Sequence, residues 1–91
     1  DSPHQRPAAG VDDAEIIKTV AANVRRLRKG ADLSQEELAH EAGVDRTYVS
    51  QVERGKRNVT ITVLARLARA LMTTPDRLLI DQPDGGPNSS E

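Results

Sequence analysis

At 91 residues, the chain is long enough for one small domain and too short for a catalytic domain joined to a regulatory one. The absence of cysteine excludes disulfides and thiolate metal sites, two histidines alone cannot form a structural zinc site, and no apolar run approaches the roughly 18 residues of a membrane span. The net charge of -1 conceals a basic centre, because residues 16–75 are net +5 and the segments on either side are each net -3. This distribution suits a domain that meets a polyanion, although solvated helix faces between acidic tails would give the same pattern.

One all-α domain of five helices is predicted, and no segment has the alternating pattern of a strand. Residues 1–12 and 81–91 are rich in Pro, Gly, Ser and Asp and have no apolar periodicity, so we expect a flexible tail at each end. The segment between them, residues 13–80, carries helical periodicity throughout and forms the single predicted domain.

The first two helices are bounded by recognisable caps. Asp12 or Asp13 precedes the first helix, and Gly30 is its predicted C-terminal stop. The apolar positions of this helix recur at helical spacing, as Ile17, Val20, Val24 and Leu27. A capping box at residues 34–37, made by a serine and a glutamate, begins the second helix, and Gly43 ends it.

Three further helices follow. Asp45 is predicted to cap a third helix that closes at Gly55, and Thr60 to cap a fourth. The fourth helix has a broad apolar stripe of Ile61, Leu64, Leu67, Ala68 and Leu71. Threonine followed by proline at residues 74–75 is a cap with a favoured first-turn residue, and it introduces a short fifth helix.

The joint between the second and third helices is the most informative feature. Two short helices cross at a steep angle when a small residue faces the neighbouring helix, the turn tolerates a positive φ and the second helix presents β-branched residues inward. The chain supplies these properties at suitable spacing in Ala39, Gly43, Val44, Val49 and Val52. We therefore predict a helix-turn-helix from Ser34 to Gly55.

The stretch LSQEELAHEAGVDRTYVSQVERGKRNVTITVLARLARAL, from Leu33 to Leu71, resembles the phage-repressor and Cro-like helix-turn-helix family, also called the Xre family. The resemblance extends over all five helices. Within that family, the run GVDRTYVSQVERGKRNVT is similar to the controller proteins of restriction-modification systems. The resemblance implies a five-helix lambda-repressor-like domain that binds double-stranded DNA in a sequence-specific manner and regulates transcription.

The docking mode of this family implies that the third helix enters the major groove. Val49 and Val52 fix its inward side. The outward side then carries the candidates for base contact, Arg46, Thr47, Ser50 and Gln51. An arginine can donate two hydrogen bonds to guanine, a glutamine can pair with adenine, and a threonine methyl can contact a thymine methyl. Arg46 is our first candidate for a base contact, and the alternative is a solvated charge or a phosphate ligand.

Contacts to the DNA backbone are expected from a second set of residues. Gln35 lies in the first turn of the second helix, where free N–H groups attract a phosphate, and members of the family place a glutamine there for that purpose. Tyr48, the only aromatic residue, is either a core residue or a phosphate ligand. The candidates for backbone contact are Ser34, Gln35, Tyr48, Lys56, Arg57 and Asn58.

The family commonly pairs an arginine of the first helix with the glutamate at the end of the third. Arg28 and Glu53 match these positions, and we expect a structural ion pair, since an unpaired acid so close to DNA would repel it. No catalytic residue, metal ligand or phosphate-binding loop emerges from the remaining sequence. His40, beside Glu41, is interpreted as a surface histidine.

A homodimer is expected from mechanism, because one short helix makes few base contacts and a two-fold dimer doubles them over a palindromic operator. The fifth helix and the end of the fourth are the predicted interface, or else they cap the core of one chain. The residues concerned are Leu71, Met72, Leu78, Leu79 and Ile80.

The sequence thus predicts a DNA-binding transcription regulator that needs no cofactor, metal or small-molecule ligand and makes no membrane contact. We expect it in the cytoplasm, on the nucleoid, in a bacterial or phage-type setting. The alternative is an antitoxin or protein-interaction module whose DNA-binding domain regulates its own operon. An enzyme is not expected.

Overall fold

Five α-helices form in residues 12–81, the part of the chain that the computed structural model describes. The predicted all-α fold is confirmed, and the predicted tails lie outside this part except for Asp12 and Asp81. None of the described helices is both long and apolar enough to cross a membrane. The helices are α1 (Asp13–Gly30), α2 (Gln35–Ala42), α3 (Arg46–Glu53), α4 (Ile61–Ala70) and α5 (Pro75–Leu79).

Two of the predicted N-terminal caps form side-chain hydrogen bonds. The Ser34 hydroxyl accepts from the N–H of Glu37 at 3.0 Å, and the Glu37 carboxylate accepts from the N–H of Ser34 at 2.8 Å, which completes the capping box of α2. Thr60 likewise accepts from the third N–H of α4 at 3.3 Å. Asp12 and Asp45 occupy the N-cap positions of α1 and α3, but neither side chain accepts a hydrogen bond from the helix. The predicted cap of α3 is therefore correct in position but lacks the capping hydrogen bond.

The end of α1 differs from the prediction, and α4 ends in the same way. Gly43 has the expected left-handed backbone after α2, with φ +72°, and Gly55 has φ +70° after α3. Gly30, however, is the last helical residue of α1, and the left-handed position after it is Asp32, with φ +62°. Met72 holds the equivalent position after α4, with φ +60°. Aspartate tolerates this conformation better than most residues, whereas methionine has no local compensation.

The core lies where α1, α2, α3, α4 and α5 meet. Its largest fully buried side chains are Leu38, Leu67, Leu78, Val24, Val49 and Val52. Burial of each such leucine or valine stabilises the fold by about 1.5–3 kcal/mol relative to exposure. Ile61 does not join this core, contrary to the predicted stripe of α4, and is 82% exposed. It occupies the first turn of the helix and is rotated by about 70° from the centre of the stripe.

A buried amide fastens α5 to α1. Asn23 is 3% exposed, and its Nδ2 donates to the carbonyl oxygens of Leu78 and Ile80, each at 2.9 Å, and more weakly to that of Arg77 at 3.4 Å. Arg26 Nη2 donates to Asn23 Oδ1 at 3.0 Å. The amide therefore satisfies carbonyls at the C-terminal end of a five-residue helix that is too short to be stable alone.

Candidate nucleic-acid interface

The turn between α2 and α3 is built by backbone geometry. After Ala42, the left-handed Gly43 lets its N–H donate to the carbonyl of His40 at 3.3 Å, and the N–H of Val44 donates to that of Ala39 at 2.9 Å. Ala39 is 2% exposed at this crossing, so no larger side chain separates the two helices. The predicted helix-turn-helix is present.

The outward side of α3 carries all four predicted base-contact residues. With Val49 and Val52 almost fully buried, the opposite side of the helix turns away from the core. Arg46 and Thr47 are exposed near the N-terminal end of α3, and Ser50 and Gln51 are half-buried one turn later. Positions i, i+1, i+4 and i+5 share one side of a helix. The structure therefore brings the four residues together on a single surface.

A cationic loop follows α3, and its residues Lys56, Arg57 and Asn58 are all exposed. The guanidinium carbon of Arg57 lies 4.6 Å from the centroid of the Tyr48 ring, within cation–π range. The Tyr48 side chain is half-buried and packs against the core. Tyr48 thus has the core contact that the sequence left as one of two options, and its ring also holds the Arg57 side chain beside the start of α3.

Glu53 is the centre of a buried polar network. Arg28 Nε donates to Glu53 Oε2 at 2.6 Å and Arg28 Nη2 to Glu53 Oε1 at 3.0 Å, and the two side chains are 12% and 4% exposed. The hydrogen bond from Arg28 to this carboxylate and the attraction between the two charges raise the pKa of Arg28, although burial opposes the shift. A further guanidinium nitrogen donates to the carbonyl of Leu33 at 2.8 Å. The expected pair is present, and it joins α1, α3 and the loop before α2.

Gln35 has a second partner that the sequence did not suggest. Its Nε2 donates to Glu53 Oε1 at 3.1 Å, so the amide is held against the ion pair and is half-buried. Ser34, the other predicted contact at this end of α2, is exposed, and its hydroxyl oxygen accepts the capping hydrogen bond.

The charges around this surface favour a polyanion. Among residues 12–81, the pair between Arg28 and Glu53 is the only ion pair, so Arg46, Lys56 and Arg57 have no carboxylate partner there. In the same part of the chain, no group of three or more His, Cys, Asp or Glu side chains could hold a metal ion. His40 is exposed on α2, as interpreted from the sequence.

The predicted dimer surface is corrected at two positions. Leu78 is fully buried and Leu71 is 7% exposed, because both close the core of their own chain, which was the alternative that the sequence left open. Met72, Leu79 and Ile80 are 91%, 42% and 51% exposed. Only these three of the five residues offer apolar surface to a second copy.

Comparison with known proteins places this arrangement in a family. Residues 24–78 match the helix-turn-helix family model HTH_3. The control protein C.SmaI of Serratia marcescens is 45% identical over 76 residues, which are 84% of this chain and 90% of that protein. The restriction-modification controller protein C.AhdI of Aeromonas hydrophila superposes with a TM-score of 0.66 at 44% identity, over 68% of this chain and 94% of that one.

A third relative has been crystallised with DNA. The restriction-modification controller protein C.Esp1396I, as a tetramer in complex with its natural 35 base-pair operator, superposes with a TM-score of 0.65 at 30% identity, over 69% of this chain and 83% of that one. The family resemblance seen in the sequence is confirmed. The chain belongs to the helix-turn-helix family HTH_3, and restriction-modification control proteins are among its relatives.

Proposed function

We propose that this protein is a transcription regulator that binds a palindromic double-stranded DNA operator as a homodimer, with α3 in the major groove. The observation that carries the proposal is the outward side of α3, where Arg46, Thr47, Ser50 and Gln51 lie together beside a loop of unpaired cations. Such a surface can contact base edges and neutralise phosphates at the same time. The protein acts in the cytoplasm, on the nucleoid, without a cofactor or small-molecule ligand.

Base recognition is assigned to the outward side of α3. The exposed Arg46 is positioned to donate two hydrogen bonds to a guanine, and the exposed Thr47 offers a methyl group to thymine. Ser50 and Gln51 are half-buried, so they offer less surface to base edges than Arg46 and Thr47 do. Discrimination therefore depends mainly on the first turn of α3.

Backbone contacts are assigned to residues held by other side chains. Glu53 holds the Gln35 amide beside the first N–H groups of α2, and Tyr48 holds the Arg57 guanidinium beside α3. A side chain that is already ordered loses less conformational entropy when it binds a phosphate. Ser34, Lys56 and Asn58 complete this set as exposed groups around the same edge.

Self-association is assigned to the exposed apolar residues after α4 and at the end of α5. Met72 is 91% exposed, and its backbone has an unfavourable positive φ. Leu79 and Ile80, which follow in the sequence, are partly exposed. Together these three exposed apolar side chains are the surface that we assign to a second copy of the chain. The tetrameric operator complex of C.Esp1396I supports assembly on DNA for a relative of this chain.

Selection of bound sites from random duplexes tests the proposal. A palindrome with half-sites about one helical turn apart, 34–36 Å, is the expected result. Because control proteins are among the relatives, promoters of restriction-modification genes are the first natural sequences to examine. If the protein enriches no sequence, DNA recognition is wrong and a protein-interaction module becomes the better hypothesis. Sedimentation of the protein alone and with the selected duplex tests the dimer.

A further inference from the structure

A basic groove runs between α1 and the end of α3, outside the surface described above. It is open to solvent and has a volume of about 680 Å³. Its charged lining residues are four cations and two acids, namely Lys18, Arg25, Arg26, Arg54, Glu53 and Asp81. None of the four cations was assigned a role by the sequence or by the proposed function.

The charge of this groove is not neutralised within the chain as described. The Glu53 carboxylate is occupied by Arg28 and Gln35, and it is 4% exposed. Asp81 is the only other acid in the lining, and no carboxylate of residues 12–81 lies within 4.0 Å of any of the four cations. Arg26 donates one hydrogen bond to Asn23, and its other guanidinium N–H groups are exposed.

The groove also shares an edge with the proposed DNA surface. Its wall at residues 53–55 is the end of α3 and the turn that leads directly into the cationic loop at residues 56–58. Lys18 and Arg25 are two helical turns apart on the same side of α1, or about 10.5 Å, which corresponds to about three base-pair steps of 3.4 Å. A polyanion that leaves the cationic loop along this wall therefore meets a row of cations.

We propose that this basic groove binds the phosphate backbone of the operator duplex beyond the base pairs that α3 contacts. The inference rests on the proposed function, because it extends the same DNA past the recognition surface. DNA fits better than a separate acidic protein, since the groove begins at the end of the proposed DNA surface and its four cations outnumber Asp81 and the paired Glu53. The operator footprint is then longer than α3 alone requires.

The experiment compares duplexes of two lengths. The short duplex contains only the site selected from random DNA, and the long duplex adds eight base pairs of fixed sequence on each side. The test variant is Arg25→Gln with Arg54→Gln, both exposed residues of the groove. The matched control is Arg66→Gln with Arg69→Gln, which removes two exposed cations of α4 that do not line the groove.

We expect the wild-type protein and the α4 control to bind the long duplex more tightly than the short one. The groove variant should lose that gain and still prefer the selected site to a scrambled one. Each phosphate contact contributes about 0.9 to the salt slope, so two lost contacts lower it by about 1.8 per protomer. For a dimer the slope falls by about 3.6, so between 50 and 200 mM salt the wild type should lose about 150-fold more affinity than the variant.

The outcomes separate this inference from the proposed function. Specific binding by the wild type with no gain from the flanks would overturn the groove proposal alone, as would an equal loss in the α4 control. Failure of the wild type to prefer the selected site on either duplex would overturn both. If the groove variant keeps the gain from the flanks and instead loses binding to polyglutamate, the groove serves an acidic protein segment and the DNA proposal is wrong.

Discussion

Helix α1 fastens two other parts of the molecule, and it does so with different chemistry. At its C-terminal end, Arg28 forms a buried ion pair with Glu53 and thereby holds the end of α3. One and a half turns earlier, Asn23 donates neutral hydrogen bonds to the carbonyls of Leu78 and Ile80 and holds α5. The charged junction supports the proposed DNA surface, and the neutral junction supports the proposed dimer surface.

The two junctions fail in different ways when one partner is removed. Loss of one member of a buried ion pair leaves an unpaired charge in a poorly solvated place, whereas loss of an amide donor leaves neutral carbonyls without a partner. The first penalty is the larger one. At the charged junction, Arg28 also neutralises the Glu53 carboxylate, which lies close to where DNA phosphates would lie. The neutral junction has no charge to neutralise.

The largest expected effect is at the charged junction. Glu53→Gln leaves the Arg28 charge without a counterion, so we expect a loss of about 3 kcal/mol in the free energy of unfolding. For a domain of this size, the Tm should fall by more than about 10 °C. Urea denaturation and thermal melting measure both quantities.

The control for that variant replaces both partners. Arg28→Met with Glu53→Leu removes the charge and its counterion together, and apolar replacements of a whole pair are often close to neutral. We therefore expect a smaller loss than in Glu53→Gln, due to the Leu33 carbonyl and the Gln35 amide, which lose their partners. Unchanged stability of Glu53→Gln itself would contradict a structural role for the pair.

The neutral junction should show a smaller effect. Asn23→Ala leaves the carbonyls of Leu78 and Ile80 without their donor, and we expect a cost of about 2 kcal/mol. Amide hydrogen exchange should rise most in α5, because this helix depends on the amide. Arg26→Ala removes only the bond to Asn23 Oδ1 and serves as the control, with a loss below about 1 kcal/mol. Equal protection of α5 in wild type and Asn23→Ala would show that the helix is held by packing alone.

The surface that the charged junction supports is tested by two arginines. Arg46→Ala should lose about tenfold in affinity per half-site of the selected sequence and little for random DNA, as expected when a bidentate base contact is removed. Arg57→Ala should weaken binding to both sequences alike and lower the salt slope by about 0.9 per protomer. Electrophoretic mobility shifts at several salt concentrations measure these differences. An equal loss on both DNAs in Arg46→Ala would assign that residue to a phosphate.

The ion pair of the charged junction could be predicted from the sequence, whereas the hydrogen bonds of the neutral junction could not. Arg28 and Glu53 match positions that the family resemblance marks, and the capping box of Ser34 and Glu37 depends on residues three apart. The acceptors of Asn23 lie 54 to 57 residues away in the chain, beyond any local pattern. The only sequence feature that indicated a buried role for Asn23 was its position three residues after Val20, on the apolar side of α1.

Other differences between the predictions and the structure also have physical causes. The left-handed position after α1 falls on Asp32 and not on Gly30, because the helix continues through the glycine. The sequence leaves Leu78 either in the dimer surface or in the core of its own chain, because it does not reveal that α5 folds back onto α1. Helix periodicity and caps thus predicted the elements, while the packing of the short fifth helix depended on tertiary contacts.

The smallest expected effect is at two non-glycine residues with a left-handed backbone, Asp32 after α1 and Met72 after α4. Asp32→Gly and Met72→Gly each remove the steric cost of a positive φ, part of which is offset by the extra freedom of glycine in the unfolded chain. We expect Met72→Gly to stabilise the monomer by about 0.5 kcal/mol and Asp32→Gly by less, because aspartate tolerates a positive φ better than methionine does. Met72→Gly also removes a side chain that is 91% exposed, so it alone should weaken self-association in sedimentation equilibrium. If both variants associate as the wild type does, Met72 is not part of the dimer surface, and the exposed residues of α5 have to provide it by themselves.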